Sequence, residues 1–189
     1  MFSRQGPIGI GFPAPIKNGI PMMAANVSQK WVGINADELF STITGSPCKV
    51  GNDADVAGLA EMKFGAGKDH PGTVIMITLG TGIGTAIFYK GSLLPNTEFG
   101  HLGSERPTQR LVRPMQPVNA MTFPRKNTPN VLTRYLSNLE NFSAPTSSLL
   151  AEELAKNTKN LFSLDVQAKV VPAQFQNEAG IVGAALFGQ

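Results

Sequence analysis

Hydrophobic and polar positions in the first hundred residues alternate in the manner of an α/β protein. Short apolar runs with glycine or proline at their ends predict strands, and longer segments that open with acidic residues predict helices. The predicted strands are 8–13, 48–50, 74–79 and 85–89, and the predicted helices are one that opens at 37–40 and one over 53–64. Residues 90 and 91 predict a hairpin turn after the last of these strands. We therefore expect an α/β core over residues 6–103.

The pattern changes in the second half of the chain. Residues 104–133 are dominated by Pro, Arg, Gln, Asn and Thr with isolated apolar positions, so no element is predicted there. Residues 135–142 predict a helical fragment, and 148–162 predict a polar helix with acidic residues early and lysines late. Residues 168–172 then predict a strand and 177–186 a helix rich in Ala and Gly.

Composition and charge limit the classes of function. The apolar fraction of 42% is that of an ordinary globular protein, and the formal charge of +3 comes from scattered Lys and Arg. That scatter gives no support for nucleic-acid binding, although a polyanionic substrate is permitted. The single cysteine, Cys48, excludes an internal disulfide. With neither a leader pattern nor a long apolar run, the sequence predicts a cytoplasmic protein without a membrane partner.

The first candidate site is an acidic segment where a predicted strand meets a predicted helix. Asn52, Asp53 and Asp55 lie at this junction. Asn and Asp in front of a helix usually cap it, and capping is the commoner use of these residue types. Asp53 and Asp55 cannot both be caps, however, and a carboxylate at a strand end could also accept the proton of a sugar hydroxyl.

The second candidate site is the glycine-rich bend between two predicted strands, with Gly80, Thr81, Gly82 and Gly84. Converging backbone N–H groups and a Thr hydroxyl in such a bend suit phosphate binding. A tight hairpin also selects glycine, and the two interpretations are compatible. The bend lacks the Gly-Lys-Ser/Thr of a Walker motif, and the strand that follows it excludes a dinucleotide fingerprint.

The third candidate site is a polar loop in which Glu98 and His101 stand three residues apart with a glycine between them. The Glu carboxylate accepts from hydroxyls and the His ring can donate or accept, so the pair suits neighbouring hydroxyls of a sugar. Isolated histidines are more often structural than ligands. His70, His101 and scattered acids are too few for a metal site.

The order and spacing of these three segments resemble the ROK family of sugar kinases, most closely its polyphosphate-using glucose kinases. The matching motifs are Asn-Asp-Ala-Asp with Ala-Gly-Leu-Ala-Glu (52–61), Thr-Leu-Gly-Thr-Gly-Ile-Gly (78–84) and Asn-Thr-Glu-Phe-Gly-His-Leu (96–102). Residues 24–27 with Trp31, and 171–173 with 177–185, are similar to the same branch. Together these matches cover roughly two-thirds of the chain.

The resemblance implies an actin-like, ribonuclease-H-like kinase fold, here incomplete, and phosphoryl transfer from polyphosphate or ATP to the 6-hydroxyl of glucose. It implies Mg²⁺ with the donor and no zinc, and it permits a homodimer. Asp53 would be the general base, and Asn52, Glu98 and His101 would hold the other hydroxyls. The transferred phosphoryl group would face Gly80, Thr81, Gly82 and Gly84.

The chain also departs from the family pattern. It begins after the family's Asp-x-Gly-Gly-Thr donor turn, and residues 104–133 and 144–162 do not match. Back-translation in a shifted frame restores a family-like Gly-Gly-Gly-x-Ser-Lys turn within 144–162 and a family-like segment within 121–133. We therefore predict two out-of-frame segments, against the simpler explanation of divergence.

These departures leave three functions open. The first is an active glucokinase, and the second is a catalytically inactive sugar-binding remnant of a ROK kinase. A ROK repressor is disfavoured because no helix-turn-helix precedes the sugar site. The predicted organisation is a sugar-binding and catalytic core (1–103), an irregular segment (104–133) and a remnant of the C-terminal lobe (134–189).

Overall fold

A computed structural model of the chain describes residues 6–24, 27–79, 83–97, 99, 148–151 and 169–189. The predicted irregular segment 104–133 and the predicted helical fragment 135–142 lie outside the described residues. No helix in the described part of the chain is both long enough and apolar enough to span a bilayer.

A small parallel sheet is formed by β1 (Ile8–Phe12) and β4 (Cys48–Asn52), paired from Ile8 opposite Cys48 to Phe12 opposite Asn52. The chain between them contains the hairpin of β2 (Ile16–Lys17) and β3 (Ile20–Pro21), a 3₁₀ turn (Gln29–Trp31) and helix α1 (Ala36–Thr44). The hairpin turns through Asn18 and Gly19, both with positive φ, as a two-residue Asn-Gly turn favours. The predicted first strand and first helix are confirmed.

Helix α2 (Asp53–Phe64) starts directly after β4, as predicted. It contacts strands of both sheets and packs along the last helix, α3 (Ala179–Phe187). The close approach depends on glycine, because a Cβ added to Gly183 would overlap the carbonyl oxygen of Val56. The fold therefore places the first turn of α2 beside two sheets and a second helix.

The larger sheet has five strands in the order β7-β6-β5-β8-β9. Its strands are β5 (Thr73–Leu79), β6 (Ile83–Tyr89), β7 (Ser92–Leu94), β8 (Ser148–Ala151) and β9 (Lys169–Pro172). Strands β5, β6 and β7 pair antiparallel, while β8 pairs parallel with both β5 and β9. The predicted turn between β6 and β7 is confirmed, since Lys90 and Gly91 both have positive φ.

Strand β8 corrects one prediction. Local propensity predicts a helix that begins at residue 148, but Ser148–Ala151 form a strand between β5 and β9. The prediction is wrong for these four residues. Pairing on both sides satisfies the backbone N–H and C=O groups of a central strand, and this non-local gain outweighs a weak local helix preference.

The main core lies between α2, α3 and the larger sheet. Its fully buried members include Val74, Met76 and Phe88 from the sheet and Ala60 from α2. A second cluster, of which Phe12, Ile16 and Val50 are members, fills the space under α1. The junction between β4 and α2 follows Val50 of the second cluster and precedes Ala60 of the main core in the sequence.

Candidate active site

Asn52 is the residue that caps α2. It is the last residue of β4, it is 3% exposed, and its Oδ1 accepts hydrogen bonds from the backbone N–H groups of Ala54 (3.0 Å) and Asp55 (3.1 Å). An extended residue whose side chain accepts from the second and third helical N–H groups is an N-cap. The capping function therefore belongs to Asn52 and does not account for Asp53.

Asp53 is the first residue of α2, and its side chain is exposed. Its Oδ1 accepts a hydrogen bond from the N–H of Ala54 at 2.8 Å. Desolvation by surrounding protein atoms raises the pKa of the Asp53 carboxyl, and backbone hydrogen bonds from Ala54 and from Asp53 itself partly oppose that rise. Because the side chain is exposed, solvent screening limits the rise. A carboxylate with a raised pKa is a better proton acceptor.

Gly84, the last glycine of the glycine-rich segment, lies beside the amino end of α2. Gly80, Thr81 and Gly82 lie outside the described residues, but Gly84 is described in β6, paired with Thr78. A Cβ added to Gly84 would clash with Thr78 Oγ1 and would lie 3.1 Å from the Cβ of Ala54. Glycine at this position therefore allows β6 to pass close to the first turn of α2, next to Asp53.

Asn96 joins three parts of the fold, and sequence reasoning did not assign it a role. Its Oδ1 accepts from the N–H of Ile16 (2.7 Å), its Nδ2 donates to the carbonyl of Ile16 (2.8 Å), and its own N–H donates to Asp55 Oδ2 (2.8 Å). Its φ is 60°, in the left-handed region that Asn tolerates better than most residues. In the sequence, the feature that could have indicated this role is the position of Asn96 at the start of the polar loop.

The loop after Asn96 is fastened to β6. The Thr85 hydroxyl, which is buried, donates to the carbonyl of Thr97 and accepts from the N–H of Phe99 (2.9 Å). The N–H of Ile87 also donates to Thr97 Oγ1 (3.2 Å). Glu98 and His101 lie outside the described residues, so their assignment to the sugar stays a prediction.

A cavity of about 560 Å³ adjoins the junction. Asn52, Asp55 and Asn96 contribute to its lining, together with Asp37 and Lys49, whose carboxylate and ammonium lie 3.6 Å apart. Its volume is in the range of small-molecule sites. The structure therefore brings Asn52, Asp53 and Gly84 to one junction. Of these three residues, Asn52 lines the cavity, and Asp53 and Gly84 do not.

The described residues contain no cluster of three His, Cys, Asp or Glu side chains that could hold a metal ion. What they offer at the junction is a carboxylate with a raised pKa, a buried amide and the start of a helix. These groups suit proton abstraction and the binding of hydroxyls and anions.

Comparison with known proteins identifies relatives of this chain among sugar kinases. The model of the ROK family matches residues 1–113. A polyphosphate glucokinase of Mycobacterium tuberculosis (strain CDC 1551 / Oshkosh) is 40% identical over an alignment of 189 positions, which covers 98% of this chain and 71% of that protein. A polyphosphate glucokinase of Mycobacterium leprae is 34% identical, with 58% of its length covered.

Solved structures agree with the fold. An inorganic polyphosphate/ATP-glucomannokinase from Arthrobacter sp. strain KM has a TM-score of 0.79 and 38% identity, over 96% of this chain and 72% of that one. A ROK glucokinase from Streptomyces griseus, solved with glucose and AMPPNP, has a TM-score of 0.64 at 20% identity over 97% of this chain and 81% of that one, and supports the fold alone. The fold is the actin-like, ribonuclease-H-like fold of these kinases. The extent of the family match and of the identity to its members places this chain in the ROK family.

Proposed function

We propose that this chain is a glucokinase that transfers a phosphoryl group from polyphosphate or ATP to the 6-hydroxyl of glucose. The observation that carries the proposal is the Asp53 carboxylate, which is exposed at the start of α2, has a raised pKa and is not the cap of its helix. The names of the relatives, a polyphosphate glucokinase and a polyphosphate/ATP glucomannokinase, support the same substrates.

Asp53 is the general base in this mechanism. As the 6-oxygen of glucose forms its bond to the phosphorus, the hydroxyl proton passes to the Asp53 carboxylate. The bond from phosphorus to the donor's bridging oxygen breaks, and its electron pair leaves with the shortened polyphosphate or ADP. Catalysis of this kind depends chiefly on alignment and charge stabilisation.

The remaining sugar hydroxyls are held by polar side chains around the junction. Asn52 is proposed to contact the sugar at the end of β4, where its Oδ1 also accepts two backbone N–H groups. Glu98 and His101 are proposed to hold neighbouring hydroxyls. These contacts would fix the 6-hydroxyl within reach of Asp53.

The transferred phosphoryl group is proposed to lie at the bend of Gly80, Thr81, Gly82 and Gly84. The described member, Gly84, lies beside Ala54 in the first turn of α2, where helix N–H groups and the helix dipole favour negative charge. Mg²⁺ would bind mainly through the donor's phosphate oxygens and water, and would neutralise charge on the phosphates. The proposed compartment is the cytoplasm.

The test measures glucose 6-phosphate formed by the purified chain with polyphosphate or ATP and Mg²⁺. Asp53→Asn should lower kcat by roughly two to four orders of magnitude, with a modest change in glucose affinity, because the substitution removes the proton acceptor but keeps the shape. Asp69→Asn is the matched control. Asp69 is an exposed residue with φ of 59°, a conformation that Asn also tolerates.

Two results would contradict the proposal. Turnover close to the parent in Asp53→Asn would show that this carboxylate is not the base. A parent chain that binds glucose without phosphorylating it would instead support the inactive sugar-binding remnant.

A further inference from the structure

We propose that Asn96 and Asp55 form a positioning pair, which holds the loop that leads to Glu98 and His101 against the β4–α2 junction. The inference rests on the proposed function, and it assigns to the sugar site two residues that need not touch the sugar. Both residues line the cavity beside Asn52.

The side chain of Asn96 imitates a neighbouring strand. Its Oδ1 accepts from the N–H of Ile16 at 2.7 Å and its Nδ2 donates to the carbonyl of Ile16 at 2.8 Å, so the amide makes both hydrogen bonds that a pairing strand would make. Ile16 is buried and stands 80 residues earlier in the chain. The amide satisfies both groups because it carries a donor and an acceptor on separate atoms of one plane, whereas an ionised carboxylate has no donor for the carbonyl.

Asp55 anchors the backbone of Asn96. The Asp55 side chain is in the first turn of α2 and is 3% exposed, and its Oδ2 accepts from the N–H of Asn96 at 2.8 Å. A carboxylate near a helix N-terminus is stabilised there, and a hydrogen bond to it is stronger than one between neutral groups. Asn96 is thereby fixed at its backbone by α2 and at its side chain by β2.

The two anchors join the segments that carry the proposed sugar contacts. Asn52 and Asp53 precede Asp55 by three and two residues, while Glu98 follows Asn96 by two residues. Thr97 between them is already fastened to β6 by Thr85. Loss of the pair would release the loop on the α2 side and leave, among the attachments that the described residues show, those to β6.

Such a release should weaken sugar binding more than it affects the rest of the enzyme. Hydroxyl contacts need placement within a fraction of an ångström, and a small displacement of catalytic or binding groups costs up to about 100-fold in rate. Destabilisation by itself has a different signature, because it lowers the fraction of folded enzyme but leaves KM of the remaining folded enzyme unchanged.

The experiment compares Asn96→Ala, Asp55→Ala and the conservative Asp55→Asn in the full chain. We expect the two alanine variants to raise KM for glucose, and its dissociation constant in calorimetry, by roughly 10- to 100-fold, with KM for the donor nearly unchanged. Asp55→Asn keeps an oxygen that can accept from the N–H of Asn96, so it should retain a KM close to the parent.

Ser41→Ala is the control for stability. The Ser41 hydroxyl accepts from the N–H of Cys48 at 2.8 Å, at the end of β4 away from Asn52, so its loss removes one hydrogen bond outside the site. We expect a lower melting temperature without a change in KM. Hydrogen exchange should also rise in peptides that span 97–101 in Asn96→Ala, and not in Ser41→Ala.

The outcomes separate the two proposals. A parent chain that neither binds nor phosphorylates glucose overturns the proposed function, and this inference with it. An active parent whose alanine variants keep the parental KM, whatever their melting temperatures, overturns the positioning pair alone. A KM in Asp55→Asn as high as in Asp55→Ala would overturn the hydrogen-bonding basis of the pair.

Discussion

Single residues at the junction of β4 and α2 have different electrostatic surroundings although they adjoin in the sequence. Asn52 is buried and neutral, and its oxygen is turned to the helix N–H groups. Asp53 is exposed, and desolvation raises the pKa of its carboxyl. Asp55 is buried and accepts the N–H of Asn96. A neutral cap, the proposed base and a buried carboxylate that holds a backbone N–H thus lie within residues 52–55.

The raised pKa of Asp53 has a consequence for stability. A carboxyl with a higher pKa in the folded than in the unfolded state contributes most below its unfolded pKa, and that contribution is lost as pH rises through the folded pKa. Asp53→Asn should therefore raise the melting temperature at pH 7, by on the order of 1 °C for an exposed group, and the gain should shrink towards pH 3. Thermal unfolding at both pH values, with Asp69→Asn as control, measures this. A lower melting temperature at pH 7 would contradict the cause given for the pKa shift.

At the scale of secondary-structure elements, helices α2 and α3 stabilise each other by close packing. Gly183 of α3 is buried, and a Cβ there would overlap the carbonyl oxygen of Val56, whereas a Cβ on Gly180 would meet nothing within 4 Å. Gly183→Ala should destabilise the fold by roughly 1–3 kcal/mol, because the helices must move apart. Gly180→Ala should be neutral or stabilise by up to about 1 kcal/mol, because alanine favours a helix. Urea unfolding of both variants is the measurement, and equal effects would refute the packing argument.

Elements with a strong local signal could be predicted from the sequence. The predicted helix over 53–64 matches Asp53–Phe64, and its small residues pack closely as expected. Strand β8 was missed because its partners, β5 and β9, are distant in the chain and only pairing with them favours a strand. The short strand β7 has too few residues to show a period.

The candidate site, like the fold, could be predicted only in part from the sequence. The cap and the proposed base could not be told apart in the sequence, because both uses select Asn or Asp at a helix start. The role of Asn96 depends on Ile16 and Asp55, which are 80 and 41 residues away. The assignments of Gly80, Thr81, Gly82, Glu98 and His101 stay predictions, as does the frame-shift interpretation of 104–133 and 144–162.

At the scale of the whole molecule, one buried carboxylate links the C-terminal segment to helix α2 in addition to the packing described above. Glu61 of α2 is fully buried, its Oε2 accepts from the N–H of Ala66 at 2.8 Å, and its Oε1 accepts from the N–H of Phe175 at 2.7 Å. Phe175 is 114 residues away in sequence and precedes α3. A single side chain therefore satisfies two backbone donors and attaches the C-terminal segment to the first half of the chain.

Replacing Glu61 tests whether this attachment makes the molecule unfold as one unit. Glu61→Ala removes both acceptors and leaves a cavity, so we expect a loss of about 2–5 kcal/mol in the free energy of unfolding. Glu61→Gln keeps one accepting oxygen and turns an NH₂ group towards the other donor, so a smaller loss of about 1–3 kcal/mol is expected.

Two probes of urea unfolding decide between a global and a local effect. Trp31 is the single tryptophan and packs against Phe12 of the small sheet, so its fluorescence reports a region remote in sequence from Phe175. Circular dichroism reports all helices, including α3. If Glu61 joins the two halves, both transitions move together to lower urea in Glu61→Ala, because loss of the attachment then destabilises the common folded state. If the Trp31 transition stays at its parental midpoint while circular dichroism shifts, the C-terminal segment detaches alone and the two halves are separate cooperative units.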